Sequence, residues 1–239
     1  MRHKNEMKYA FIHTTPILFS YIFLGMAFGI MMQEAGYGPF WSFLCSTFIY
    51  TGAFQMALVG FLKATAPILT ICFTALAMGS RHIFYGFSFI EDFKKAGKKY
   101  PFMIFSLTDE SYALYCSLDI PKELNKENTR FFIGLFCWWY WICGSVLGGI
   151  IGVVIPFDFK GIDFCMTAMF VCVFVDQWRQ EKTHLPALAG IVFSILFLLL
   201  VGKDNFILPA LLAATGTILM SAPVDRKNKI EESLKEDKS

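Results

Sequence analysis

The feature that most constrains this chain is the alternation of long uncharged apolar runs with short charged clusters. A bilayer core about 30 Å thick takes roughly 20 apolar residues of helix to cross, and runs near that length recur from end to end. Residues 9–33 form the first, with His13 its only basic or acidic group, and the turn Gly36-Tyr37-Gly38-Pro39 follows it. Residues 40–62 are uncharged throughout. A third run begins at Pro67, stays uncharged to Ser80, meets Arg81 and His82, and resumes over residues 83–90. Residues 101–118, 131–155, 162–175, 185–202 and 206–222 complete the set. Lipid offers no partner for backbone N–H and C=O groups, so such runs are satisfied as helices.

The expected fold class is therefore all-α, a polytopic membrane helical bundle of about 7–8 spans with a broken or re-entrant region near residues 67–118. Composition agrees: 56% of the chain is hydrophobic and 17% charged, against about 45–50% and about 25% for soluble domains. A net charge of +2 is too small to indicate nucleic acid or an acidic partner. The basic start MRHKNEMK has the look of a signal-peptide n-region, but no small-residue cleavage site follows it. Residues 1–8 are expected as a cytoplasmic N-tail, 9–222 as one transmembrane domain, and 223–239 as a charged cytoplasmic C-tail.

The positive-inside bias supports that orientation through Arg2, Lys4 and Lys8 at one end and Arg226, Lys227 and Lys229 at the other. The four lysines between residues 91 and 100 are the ambiguous group. They lie outside if residues 67–90 cross once, and inside if that run is a re-entrant hairpin around Arg81. The spacing Gly25-x-x-x-Gly29 resembles Gly144-x-x-x-Gly148-x-x-x-Gly152, and Gln55 and Gln177 follow at similar distances. A weak internal repeat with halves 9–118 and 131–222 is one reading of this pattern. The cluster Trp138-Trp139-Tyr140-Trp141 is expected as an aromatic girdle at the membrane surface.

The candidate chemistry centres on Asp109 and Glu110, adjacent carboxylates within the apolar segment PFMIFSLTDESYAL. An ionisable group at bilayer depth costs about 2.5–3.5 kcal/mol on insertion scales, which makes it a candidate functional group. Arg81 is the simplest partner for one of them across helices. Asp109 shares a helix face with Tyr112, and Arg81 with Tyr85, so the two faces together are expected to wall a cavity. Gln55, with Tyr50 and Thr51 nearby, offers neutral hydrogen-bonding groups for either helix contact or substrate. Gly25 and Gly29 allow close backbone approach or an unwound site. Asp163 and Asp176 are expected at the interfaces.

Seven cysteines lie in apolar runs without a Cys-x-x-Cys pair, and the four histidines form no ligand cluster, so neither a metal nor a cofactor is expected. No Gly-x-x-x-x-Gly-Lys-Ser/Thr motif is present, so transport would be gradient-driven or separately energised. No catalytic motif supports an intramembrane enzyme.

Four stretches resemble the AzlC family, the large subunit of bacterial branched-chain amino acid exporters of the azaleucine-resistance type. They are Pro16 with GMAFG at 25–29 and Gly36, FIYTGAFQ at 48–55, SRHIFYGFS at 80–88, and LTDESYAL at 107–114. Thr51-Gly52-Ala53 departs mildly from the Ala-Gly more usual before the glutamine. The resemblance implies export of valine, leucine, isoleucine or similar apolar amino acids across the bacterial inner membrane. It also implies a small AzlD-type membrane partner, and it matches Arg81, Asp109, Glu110 and Gln55 as polar positions. The alternatives are a non-transporting scaffold or accessory subunit, and a transporter of another small organic solute.

Overall fold

A computed structural model describes residues 2–154, 163–180, 184–202, 206–207 and 209–217. The side chains of Arg81, Asp163, Asp176 and Gln177, and the segment 223–239, lie outside the described residues. Among those described, the secondary structure is helical, without strands. The elements are α1 (Arg2–Glu34), α2 (Pro39–Phe48), α3 (Gly52–Lys63), α4 (Ile68–Lys94), α5 (Tyr100–Phe105), α6 (Asp109–Ser117), α7 (Lys126–Val154), α8 (Asp163–Gln180) and α9 (Leu185–Val201). The chain divides into two compact units, Met1–Ala66 with Met78–Phe170, and Pro67–Ala77 with Val171–Ser239. The candidate site lies entirely in the first.

That unit is organised by the pairing of α1 with α7, which run parallel. Glu6 meets Asn125 at one end, Thr14 meets Tyr140 further along, and Gln33 meets Gly152 at the other end. The sequence reason is the glycine spacing. A Cβ built on Gly25 would stand 3.0 Å from Ser145 N and 3.1 Å from Gly144 C. One on Gly29 would collide with Ser145 O, and one on Gly148 with Met26 O. The two similar glycine ladders are thus each other's partners, and the helices approach until backbone meets backbone. α2 lies antiparallel on another face of α7, with Pro39 against Gly149 and Trp138 Nε1 donating to Thr47 O at 3.3 Å.

Two expectations are corrected, and one open alternative is decided. Residues 40–62 do not form one helix: α2 ends at Phe48 and α3 begins at Gly52. Between them Tyr50 takes φ = 40°, and Thr51 is extended at φ −133°. Three β-branched residues, Thr47, Ile49 and Thr51, lower helix propensity just where the chain opens. Conversely, the run around Arg81 is unbroken, because α4 is one helix of 27 residues, which excludes a hairpin there. The break expected near residues 67–118 falls at residues 106–108, between α5 and α6, and this pair dips and returns, with Lys99 on Asn128 and Tyr115 on Arg130 O at the start of α7. Finally, the four aromatic residues at 138–141 are not one girdle. Successive positions fan about 100° around a helix, so Trp139 is exposed while Trp141 is 3% exposed in the interior.

Polarity is distributed as lipid demands. Ser42, Ser46, Gln55, Ser106, Ser111, Thr129 and Ser145 have no exposed surface, whereas Phe19, Phe23, Phe48 and Ile68 are exposed. A water-soluble protein does the reverse with most of its large apolar side chains. Among the described residues, two helices, Lys4–Glu34 and Lys126–Val154, are long and apolar enough to cross a membrane.

Candidate functional site

The two helix breaks lie side by side. The ring of Tyr50, in the first, packs on Phe105, the last residue before the second, at 5.9 Å between centroids. In the second break the reason for helix initiation is local. Thr108 is the N-cap of α6, and its hydroxyl accepts from Ser111 N while Thr108 N donates to Ser111 Oγ at 2.8 Å. This reciprocal arrangement satisfies two otherwise orphaned donors.

Asp109 and Glu110 are then the first turn of α6, where the partial positive charge of a helix N-terminus favours carboxylates. The half-helix therefore supplies a local reason for two adjacent acids at this place, alongside any partner across helices. Asp109 is half-buried. Glu110 Oε2 accepts a 2.7 Å hydrogen bond from the Tyr21 hydroxyl of α1, whose oxygen also lies 2.9 Å from Thr108 Oγ1. Since Tyr21 has one proton and gives it to Glu110, Thr108 is the donor in the other contact. The polarity runs Thr108 to Tyr21 to Glu110; Thr108 and Tyr21 are buried, at 8% and 4% exposed, and Glu110 is the exposed end of the relay.

Gln55 is held on the other side of α7's central tryptophan. Its Oε1 accepts from Trp141 Nε1 at 2.6 Å, and its Nε2 reaches Ser46 Oγ at 3.4 Å. Both polar ends are used in joining α2, α3 and α7 across the first break. The indole edge of Trp141 also covers Gly52, where a Cβ would stand 3.0 Å from Cη2. Tyr21 meets the same indole edge-on at 5.5 Å.

Tyr85 and Tyr112 do come together, stacked at 4.4 Å and 23°. Phe89 is packed edge-on to Tyr112 and Tyr115, at 5.6 and 5.7 Å. This aromatic wall joins the second part of α4 to α6. At its end Arg130 donates to Asp92 Oδ2 at 2.6 Å and lies 5.0 Å above the Phe89 ring. Arg130's hydrogen bond, opposed by partial burial and helped by its charge, holds the Asp92 carboxyl below the usual carboxylate range. The Arg81 side chain is outside the described residues. Gly25 and Gly29 are occupied by the α7 crossing, on a continuous stretch of α1.

Sequence reasoning passed over Tyr21, Trp141 and the capping role of Thr108 and Ser111. The last was readable: Thr followed by two acids and a serine at the third position is a helix-start pattern. Tyr21 carried no local signal, since an aromatic residue on a span reads equally as lipid-facing, and Trp141 was read with its aromatic neighbours as part of a surface girdle.

Buried hydroxyls and amides, exposed apolar side chains and two helix pairs that break side by side define a helical membrane protein with a polar centre built on broken helices. The AzlC protein family matches residues 16–155. The branched-chain amino acid transport protein AzlC of Bacillus subtilis is 34% identical over 91% of this chain and 86% of its own length. An uncharacterized membrane protein of Haemophilus influenzae is 34% identical over 88% of each. The inner membrane protein YgaZ of Escherichia coli is 28% identical over 83% of this chain and 87% of its own. The chain belongs to the AzlC family. No solved structure matches it significantly.

Proposed function

We propose that this chain is a secondary transporter that exports branched-chain or similar small apolar amino acids across the inner membrane, coupled to protons and working with a small AzlD-type membrane subunit. The observation that carries the reading is the relay from Thr108 through the buried Tyr21 to Glu110 at the start of a half-helix. A carboxylate fixed at a break within an apolar segment faces a substrate ammonium or exchanges a proton, and the adjacent acid, Asp109, leaves the second task available. The name of the Bacillus subtilis relative, a branched-chain amino acid transport protein, supports the substrate class.

The topology supports a multi-pass arrangement with the basic ends of α1 and α7 in the cytoplasm. Parallel helices require an odd number of crossings between them. The unbroken α4, whose Asp92 reaches Arg130 at the start of α7, supplies one; the pair α2 and α3 returns to the Glu34 end of α1, where Lys63 meets Glu34 at 3.4 Å, and the pair α5 and α6 begins and ends beside the start of α7, through Lys99 on Asn128 and Tyr115 on Arg130 O. Lys4 and Lys8 of α1 then share a side with Lys126 and Arg130 of α7.

The test loads cells with a dipeptide of valine, leucine, isoleucine or methionine and times release of the free amino acid. Expression of the chain, alone or with a small partner subunit, should raise the release rate several-fold. Unchanged release in both settings overturns the reading.

A further inference from the structure

The two half-helices that meet at the breaks are satisfied differently. α6 starts with its own cap and its own two acids. α3 starts with neither: Thr51 gives no side-chain cap, and its hydroxyl turns back to Ile49 O at 3.1 Å. The first backbone donor served is Gln55 N, which reaches Thr51 O at 2.8 Å. The N–H groups of Gly52, Ala53 and Phe54 have no acceptor among the described residues. Ala53 is 4% and Phe54 8% exposed. A helix N-terminus carries about half an elementary positive charge, and one that is buried without partners calls for an acceptor.

A second observation points the same way. The Tyr50 hydroxyl is buried on a residue only 4% exposed, and it has no hydrogen-bond partner. The Tyr21 hydroxyl lies near it without completing a bond. Because the Tyr50 ring packs on Phe105, this orphaned donor is set between the two breaks. Buried tyrosine hydroxyls ordinarily find a partner. Trp141 closes one side of Gly52, and Tyr50, the residue before the N-cap of α3, has its hydroxyl among Tyr21, Glu110 and Tyr115.

We propose that the first turn of α3 and the Tyr50 hydroxyl bind the α-carboxylate of the transported amino acid, while Glu110, held by Tyr21, faces its ammonium. A helix N-terminus with free N–H groups is a ready anion site, and a fixed carboxylate is the complementary cation site. Together they recognise a zwitterion by its two ends and leave its side chain to apolar surroundings. The inference rests on the amino acid transport reading for the identity of the ligand, but its chemistry is testable without transport.

The experiment measures binding to the purified chain in lipid nanodiscs for three ligands: L-leucine, 4-methylpentanoate, which lacks the amine, and 3-methylbutylamine, which lacks the carboxylate. Tyr50→Phe should weaken L-leucine and 4-methylpentanoate about tenfold and leave 3-methylbutylamine unchanged. Glu110→Gln should weaken L-leucine and the amine and spare 4-methylpentanoate. On the unaltered protein, L-leucinamide should bind at least tenfold more weakly than L-leucine, a measurement independent of how any variant folds. Equal loss for all three ligands in Tyr50→Phe, no loss for any, or leucinamide binding as well as leucine overturns the inference. Tyr50-dependent binding of 4-methylpentanoate without leucine transport leaves the carboxylate site standing and removes the export reading. Leucine transport that is indifferent to Tyr50→Phe does the opposite.

Discussion

Tyr21 donates a 2.7 Å hydrogen bond to Glu110 across 89 positions of sequence, joining the middle of the first long helix to the first turn of a half-helix. The phenol is itself the acceptor for Thr108, the residue that caps that half-helix. One side chain thus ties the position of the carboxylate to the start of α6.

The first prediction follows from that link. Tyr21→Phe keeps the ring against Trp141 and removes only the hydroxyl. It should lower amino acid efflux about tenfold while costing no more than about 1.5–3 kcal/mol of stability, the usual net worth of one hydrogen bond to a charged group. Glu110→Gln should abolish efflux with the protein still accumulating in the membrane. Efflux rates and membrane protein levels, measured together, check both; loss of protein level in Glu110→Gln would make the residue structural.

The glycine crossing gives a second. Gly148→Ala places a methyl group against Met26 backbone, where no rotamer change relieves the contact. Destabilisation of about 1–3 kcal/mol is expected from overpacking, or failure to accumulate. Gly60→Ala is the control, since nothing lies within 4 Å of a Cβ there. Thermal unfolding in detergent should separate the two by several degrees.

Trp141 and Gln55 should be coupled energetically. Trp141→Phe leaves Gln55 Oε1 buried and without its 2.6 Å donor, at a cost of about 1–2 kcal/mol. Gln55→Met should remove most of the further penalty of Trp141→Phe. A double-mutant cycle on unfolding in detergent measures this, and additive effects would show the bond to be energetically silent.

The Asp92–Arg130 pair sets a pH dependence at the ends of α4 and α7. Asp92's carboxyl is held below its ordinary value by Arg130. Its contribution to stability is therefore present above the unfolded carboxylate range near pH 4 and is lost as pH falls through the lower folded value. Asp92 is about half exposed, so solvent screening keeps the effect within about 1 kcal/mol. Asp92→Asn should be less stable than the parent at pH 7 and equal to it near pH 2. A constant difference across that range would show that the pair titrates with no net gain.

What the sequence determined by itself is what depends on local composition. Uncharged runs of bilayer length dictate helices, because lipid leaves the backbone no other partner. The motifs at 25–29, 48–55, 80–88 and 107–114 were enough to point to the family. The faces carrying Tyr85 and Tyr112 were readable from helical spacing alone, and the structure stacks the two rings. The start of α6 was written in Thr108, Asp109, Glu110 and Ser111, although the same residues read first as acids in search of a partner.

What only the tertiary structure decided is which distant surfaces meet. Hydrophobic periodicity says little in lipid, where the outside is as apolar as the inside, so it gave no reason to place Tyr21 at Glu110 or Trp141 over Gly52. The glycine ladders at 25–29 and 144–152 looked like two copies of one motif. They are the two halves of one contact, because small residues permit close approach without naming the partner. The opening at residues 49–51 belongs to the same class: weak local propensity permits a break there, and packing of Tyr50 on Phe105 and of Trp141 on Gly52 holds it open.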